Sequence, residues 1–316
     1  MKTISESLRL EDTFRHEALF YAGSDEFVQR TAPFIREGLE ADEPVLVVVS
    51  AEKIELLRSE LGGGADGVRF ADMAEVGQNP ARIIPAWREF VDETAGSSQR
   101  RGIGEPIYPA RSPAELAECE RHEALLNLAF DASPAWRLAC PYDTSALEPS
   151  VIEEAIRNHP VVVQGGVHRP SSTFGGLAPI KEPFDRPMPE PPGAPVELAF
   201  SEEKLSSVRA FAAWGAVDSG LGPTRTEDLV LAANEVATNS VRHGGGSGVL
   251  RMWEHDDTLI CEIRDGGLID RPLAGRVRPV PGQTSGFGLW LANQLCDLVQ
   301  VRSNSTGTVV RLHMRR

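Results

Sequence analysis

Apolar and polar positions along this chain follow two different periods, and the switch between them outlines its elements. In the first half, the short apolar runs "ALFYAG" (18–23) and "EPVLVVVS" (43–50) have strand length. Between them, "SDEFVQRTAPFIREGLEAD" repeats its apolar positions at helical spacing. A helix follows in "SAEKIELLRSELG", with Ser50 placed as its N-cap and Gly62 at its end. The same alternation continues through "GVRFADM", a helix over "PARIIPAWREFVDETA", the strand-like "GIGEPIY", a helix over "SPAELAECERHEALLNLAF", the strand-like "WRLACPY" and a helix near "SALEPSVIEEAIRNHP". Strand and helix in turn predict an α/β unit with a parallel sheet covered by helices.

From Gly165 to Val196 the pattern breaks. Proline recurs at 170, 179, 183, 187, 189, 191, 192 and 195, with few apolar residues between, as in a semi-stiff spacer that cannot continue a helix or a central strand. Beyond it the order changes to two helices, two strands, a loop, a helix and two strands. The hairpins are "VLRMWEHDDTLICEIRD", turning near Asp256-Asp257 with Leu259, Cys261 and Ile263 facing inward, and "LVQVRSNSTGTVVRLHM", turning at 305–307. This order predicts an α+β sandwich. The expected division is residues 13–165, a Pro/Gly-rich linker at 166–195, and residues 196–316.

Composition narrows the function classes. The net charge of −14 is uneven: residues 197–316 hold 13 basic and 14 acidic residues, and residues 1–196 hold 19 and 32. The acidic first half would repel a phosphate backbone, so no nucleic-acid partner is expected. No apolar run is long enough to span a bilayer, and "MKTISESLRLEDTFRHEALF" lacks the basic-then-apolar order of a signal peptide. The scattered Cys119, Cys140, Cys261 and Cys296 form no CxxC pair and read as reduced core thiols. The expectation is a cytoplasmic protein with no membrane partner.

The helix "LVLAANEVATNSVRHGGG" (229–246) carries the candidate chemistry. Leu229, Val230, Ala233, Val236, Ala237 and Val241 form its apolar stripe, yet Glu235 and Asn239 sit four apart on one face beside that stripe. A solvated helix edge would explain this as well as a ligand site would. Asp265 ends a strand beside Gly266-Gly267, where a carboxylate can accept from an exocyclic amine while backbone approaches a flat ring. Gly286 and Gly288 open a helix, where free N–H groups attract phosphate. Thr308 follows the Gly307 turn, within reach of the Asp265 region.

In this order, E-x-x-x-N, D-x-G, G-x-G-L and G-T resemble the histidine-kinase-like (GHKL) ATPase domain shared by gyrase, the Hsp90 chaperone, histidine kinases and anti-sigma serine kinases. The resemblance implies ATP and Mg²⁺ as cofactors. It assigns Asn239 to Mg²⁺, Glu235 to orienting or deprotonating the attacking hydroxyl, and Asp265, Gly267 and Thr308 to the adenine end. Gly286, Phe287 and Gly288 would cradle the phosphates. Two features depart from the family's box: Ile269 replaces the second glycine of D-x-G-x-G, and the lid at 268–285 is short.

The tail "GFGLWLANQLCDLVQVRS" resembles the small serine-kinase anti-sigma factors. "HEALFYAGSDEFV", "GEPIY", "ECERHEALLN" and "CPYDTSAL" resemble the MEDS sensory domain, a RecA-like unit without nucleotide motifs. Together they are similar to RsbA-family regulators, with stress-response control implied. That family implies a sigma factor or an anti-anti-sigma (STAS) protein as partner, serine phosphorylation of the latter, and a small organic ligand of the sensor. It leaves a homodimer open. His16, Tyr21, Glu26 and Cys140 are the candidates for the sensor pocket, each also readable as a packing or capping residue. Two other readings stand: a soluble histidine kinase using His122 or His16 from the repeated "RHEAL" pentads, and a non-catalytic ATP-dependent binding module.

Overall fold

The computed structural model describes residues 13–176, 178–185, 187–280 and 286–316. Most of the stretch read above for a leader, and residues 281–285 of the expected lid, lie outside the described residues. The chain divides into two compact units, Met1–Pro179 and Ile180–Arg316.

The first unit runs β1 (Phe14–Tyr21), α1 (Gly23–Glu40), β2 (Val45–Val49), α2 (Ala51–Leu61), β3 (Val68–Asp72), α3 (Met73–Val76), α4 (Ile83–Glu93), β4 (Arg101–Gly104), α5 (Pro113–Ala129), β5 (Trp136–Asp143), α6 (Pro149–Asn158), β6 (Val161–Gln164) and β7 (Val167–Pro170). Its sheet has the order β3-β2-β4-β5-β1-β6-β7, parallel except for the β6–β7 pair. Every residue of β2 is buried, as a continuous Val/Leu run in a helix-covered parallel sheet should be. Ser50 caps α2 by accepting from Lys53 N, and Ser112 with Glu115 forms a capping box on α5. Gly102 and Gly104 let the Trp87 ring lie directly on β4; a Cβ at either position would approach it within 2.9 Å.

The proline-rich stretch is less featureless than its composition suggests. β7 forms within it, as an antiparallel edge strand where a terminal proline is tolerated, and α7 (Ala178–Asp185) forms with Pro179 in its first turn.

The second unit continues with β8 (Val196–Ser201), α8 (Leu205–Asp218), α9 (Pro223–His243), β9 (Ser247–His255), β10 (Thr258–Asp265), α10 (Phe287–Leu295), β11 (Leu298–Asn304) and β12 (Gly307–Arg315). These strands form an antiparallel sheet in the order β11-β12-β10-β9-β8. Its core joins Val208, Ala212 and Ala216 of α8 and Leu229, Ala233, Val236 and Ala237 of α9 to Leu250, Met252, Cys261, Ile263, Val310 and Leu312 of the sheet. The expected element order lacked β8. That strand lies at an edge with Phe200 its only fully buried residue, so little of a strand's alternation is visible in it.

The alternation expected in β10 is also incomplete. Leu259, Cys261 and Ile263 face the helices, but Ile260 and Glu262 are buried as well. The Glu262 carboxylate accepts from Arg251 Nη1 (3.1 Å), Arg264 Nε (2.6 Å) and Arg311 Nε (2.7 Å). Arg311 also donates to Pro189 O, and Glu190 accepts from Arg251 and Arg264. Residues 189–190 thus lie over the face of the sheet opposite the helices.

Candidate functional site

α9 sets the first part of the site. Its apolar stripe faces the sheet, which leaves Glu235 and Asn239 half-buried one turn apart. Neither side chain hydrogen-bonds to another group among the described residues. Both stand against Gly288 in the first turn of α10. A Cβ at Gly288 would lie 2.6 Å from Asn239 Nδ2 and 3.3 Å from Glu235 Oε2. The chain enters α10 through Gly286, whose φ of 96° requires glycine, and Phe287 is largely exposed. Glu235, Asn239 and Gly288 therefore converge at a helix N-terminus.

The second part forms where β10 ends. Asp265 Oδ2 accepts from Ser240 Oγ (2.6 Å) and Asp265 Oδ1 from Gly267 N (2.7 Å). Thr308 Oγ1 donates to Gly267 O (2.9 Å) and lies 2.7 Å from Ser303 Oγ, which accepts from Ile269 N. Gly266 N donates to Gly244 O. A Cβ at Gly267 would meet Gly244 Cα at 2.8 Å and Asp265 Oδ1 at 2.9 Å. These hydrogen bonds hold the Asp265 carboxylate and the backbone beside it in one orientation. Each carboxylate oxygen accepts one hydrogen bond among the described residues, so acceptor capacity remains for an amine.

Ser240, Gly244 and Ser303 were not among the sequence candidates. Ser240 had a signal, a hydroxyl at a core-facing position of α9; Ser303 had none, because only the β11–β12 pairing sets it opposite Thr308. His243, which continues the Glu235–Asn239 line in sequence, is exposed, and only its carbonyl reaches Gly267. A cleft lined by Ile180, Phe184, Leu268–Asp270, Pro272 and 303–306 lies next to this second part and not over Glu235, Asn239 and Gly288.

In the first unit, the four sensor candidates do not share one pocket. His16 and Cys140 come together, with His16 Nε2 3.3 Å from Cys140 Sγ, alongside Glu123 and His159. Tyr21, five positions from His16 on β1, projects from the opposite face of the sheet. Its hydroxyl donates to Glu105 Oε1 (2.5 Å), and Lys53 Nζ donates to both Glu105 oxygens (2.6 Å). Glu26 is elsewhere again: it accepts from Ala22 N and Arg30 at the start of α1, a capping role.

Burial governs the ionisation of these groups. It lowers His16, with help from His159, to about 4. Burial alone would raise Glu123, but the His159 and His16 rings beside it outweigh burial and hold that carboxyl well below its ordinary range. Burial and then the Glu123 carboxylate push the Cys140 thiol up. Burial also raises Glu105, with Lys53 opposing it.

His16 and His122, the histidines considered as phosphoacceptors, are each 1% exposed. Neither ring is presented at the surface to a phosphoryl donor in this fold. Among the described residues, no helix is long and apolar enough to cross a membrane.

Residues 15–160 match the MEDS family, described as the methanogen/methylotroph, DcmR sensory domain. Residues 198–314 match the histidine kinase-like ATPase domain. No curated protein matches the chain. Among solved structures, the RsbU and RsbW domains of Rv1364c from Mycobacterium tuberculosis are similar at 20% identity and a TM-score of 0.31, over 39% of this chain. The chain spans only 33% of the length of that structure. This protein therefore joins an α/β MEDS domain to an α+β histidine kinase-like ATPase domain.

Proposed function

We propose that the protein is an RsbA-like, anti-sigma-type switch: the second unit binds ATP with Mg²⁺ and engages a sigma factor or its anti-anti-sigma antagonist, under control of the MEDS domain. The observation that carries this reading is the half-buried Glu235–Asn239 pair, without a hydrogen-bond partner among the described residues and facing a glycine at a helix N-terminus. An unpartnered carboxylate and carboxamide in that position fit a cation-bridged polyphosphate. Gly288 leaves the space that a side chain would fill.

In this reading Asn239 holds Mg²⁺, and the N–H groups around Gly286, Phe287 and Gly288 receive the phosphates. Asp265 accepts the adenine amino group, with Gly267 and Thr308 positioning it. When bound, ATP supplies the transferable phosphoryl group. Glu235 is placed to take the proton of an acceptor serine hydroxyl on the antagonist. The phosphate added there opposes docking by charge.

The test is nucleotide titration of the full chain, followed by capture of partners with and without Mg-ATP. Asn239→Ala should lose Mg²⁺-dependent ATP binding. Glu235→Gln should keep ATP binding and lose phosphotransfer to a serine of the captured antagonist. Tight Mg²⁺-dependent binding in the Asn239 variant would overturn the site. Nucleotide-dependent capture without phosphotransfer by the wild type would reduce the protein to a binding module.

A further inference from the structure

The buried cluster on the His16 face of β1 contains more lone pairs than protons to fill them. Asn127 Nδ2 donates to Asn158 O (2.8 Å), which turns the amide oxygen towards His16. His16 Nδ1, 3.1 Å from that oxygen, must then carry the proton. His159 Nδ1 lies 2.7 Å from Ala155 O, a group that can only accept, so it carries its proton there as well. In the neutral imidazoles both Nε2 atoms are left bare.

Both bare nitrogens face the same carboxylate oxygen. His16 Nε2 is 3.1 Å and His159 Nε2 is 3.3 Å from Glu123 Oε2, and His16 Nε2 is also 3.3 Å from Cys140 Sγ. The thiol has one proton and can relieve one of these contacts. Among the described residues, His159 Nε2 and Glu123 Oε1 have no hydrogen-bond partner, and all four side chains are buried. Protonating both rings would set two cations, 4.0 Å apart between ring centroids, against a single carboxylate. Protonating only His159 still leaves His16 Nε2 lone pair to lone pair with Glu123 Oε2, unless the thiol proton is spent there.

We propose that His16, Glu123, Cys140 and His159 form a closed four-ligand site for a zinc-type divalent cation. The four ligand atoms all lie within 4.8 Å of one another. Bonds of about 2.0–2.3 Å in a tetrahedron give ligand–ligand edges of roughly 3.3–3.7 Å. The three short contacts are already close to that length. Imidazole, thiolate and carboxylate together suit zinc and exclude the all-oxygen preference of Mg²⁺ and Ca²⁺. Asn127 and the Ala155 carbonyl supply the outer contacts that orient metal-binding imidazoles.

The charges balance without a remainder. On binding, the Cys140 S–H bond breaks, its proton leaves to solvent, and the sulfur–metal bond forms with the thiolate pair. One thiolate and one carboxylate then neutralise a divalent cation, so no net charge remains in an apolar interior. The ligands come from β1, α5, β5 and the residue that ends α6, so the cation would tie four elements together. Because every ligand is buried, it is acquired as the unit folds, and it exchanges slowly afterwards.

The experiment uses the full chain, unfolded with chelator and refolded with zinc or cobalt(II) chloride, and does not involve nucleotide. About one equivalent of zinc per chain is expected, with release of about one proton. The cobalt form should show tetrahedral d–d absorption and a thiolate-to-cobalt charge-transfer band, and Cys140→Ser should lose that band. Native circular dichroism after metal-free refolding, with no uptake of either ion, would overturn the site. Equal metal content in wild type and His159→Gln would do so too. If the variants fail to fold, the metal content and cobalt spectrum of the wild type still decide.

Discussion

Helix α9 of the second unit and the sheet–helix interfaces of the first both place carboxylates, amides and hydroxyls beside an apolar core, with opposite results. Around Glu235 and Asn239 the neighbouring position is glycine, and the polar groups have no partner among the described residues. Around Tyr21, Lys53 and Glu105 the groups close on one another at 2.5–2.6 Å and leave nothing to receive a ligand. The residue types overlap. The difference lies in whether a missing Cβ leaves room or a second side chain fills it. The Glu235 carboxylate beside glycine stays open to a ligand, whereas the Glu105 carboxylate is closed by Lys53 and Tyr21.

Stability should separate the two regions most sharply. Glu105→Ala strands the Lys53 ammonium and the Tyr21 hydroxyl, and is expected to cost the first unit about 3–5 kcal/mol. Glu235→Ala, with no partner to strand among the described residues, should change stability by no more than about 0.5 kcal/mol. Denaturant unfolding of both variants checks the contrast, and similar losses would erase it. Next in size, Gly288→Val fills the space before Asn239. ATP affinity should fall roughly 10- to 100-fold, the equivalent of about 1–3 kcal/mol for overfilling a packed space. Calorimetric titration reads that loss, and unchanged affinity would show that the nucleotide does not use this gap.

The smallest effect concerns pH. Burial tends to raise the Asp143 carboxyl, but Ser145, the Gly23 amide and Lys53 together hold it below its ordinary 3.8. A depressed carboxyl contributes stability that is present above pH 3.8 and is lost as the pH falls through the folded-state value. Asp143→Asn should therefore flatten the acid limb of the first unit's unfolding profile and leave the neutral region nearly unchanged. An unaltered acid limb would remove Asp143 from the network around Lys53.

Much of this architecture was legible in the order of residues. Glu235, Asn239 and the apolar stripe of α9 share one local periodicity, and a helix brings residues four apart together wherever it packs. Ser50 and Ser112 cap their helices through contacts only three residues away. The strand–helix alternation of the first unit depends equally on local pattern. What escaped depended on partners distant in sequence. β8 is a strand because β9 pairs with it, and Glu262 is buried because arginines and residues 189–190 cover its face. Tyr21 and Cys140, alike as sensor candidates in the sequence, separate onto opposite faces of the sheet.

The sequence by itself determined the two fold classes, the helices and most strands, and the order of the four motifs in the second half, because local periodicity, caps and turns act over a few residues. Only the tertiary structure decided that Asp265 is held by Ser240, that Thr308 meets Ser303, and that His16, Glu123, Cys140 and His159 converge. Convergence across more than a hundred residues of chain, as between His16 and Cys140, is set by strand order and register, and no local pattern encodes either.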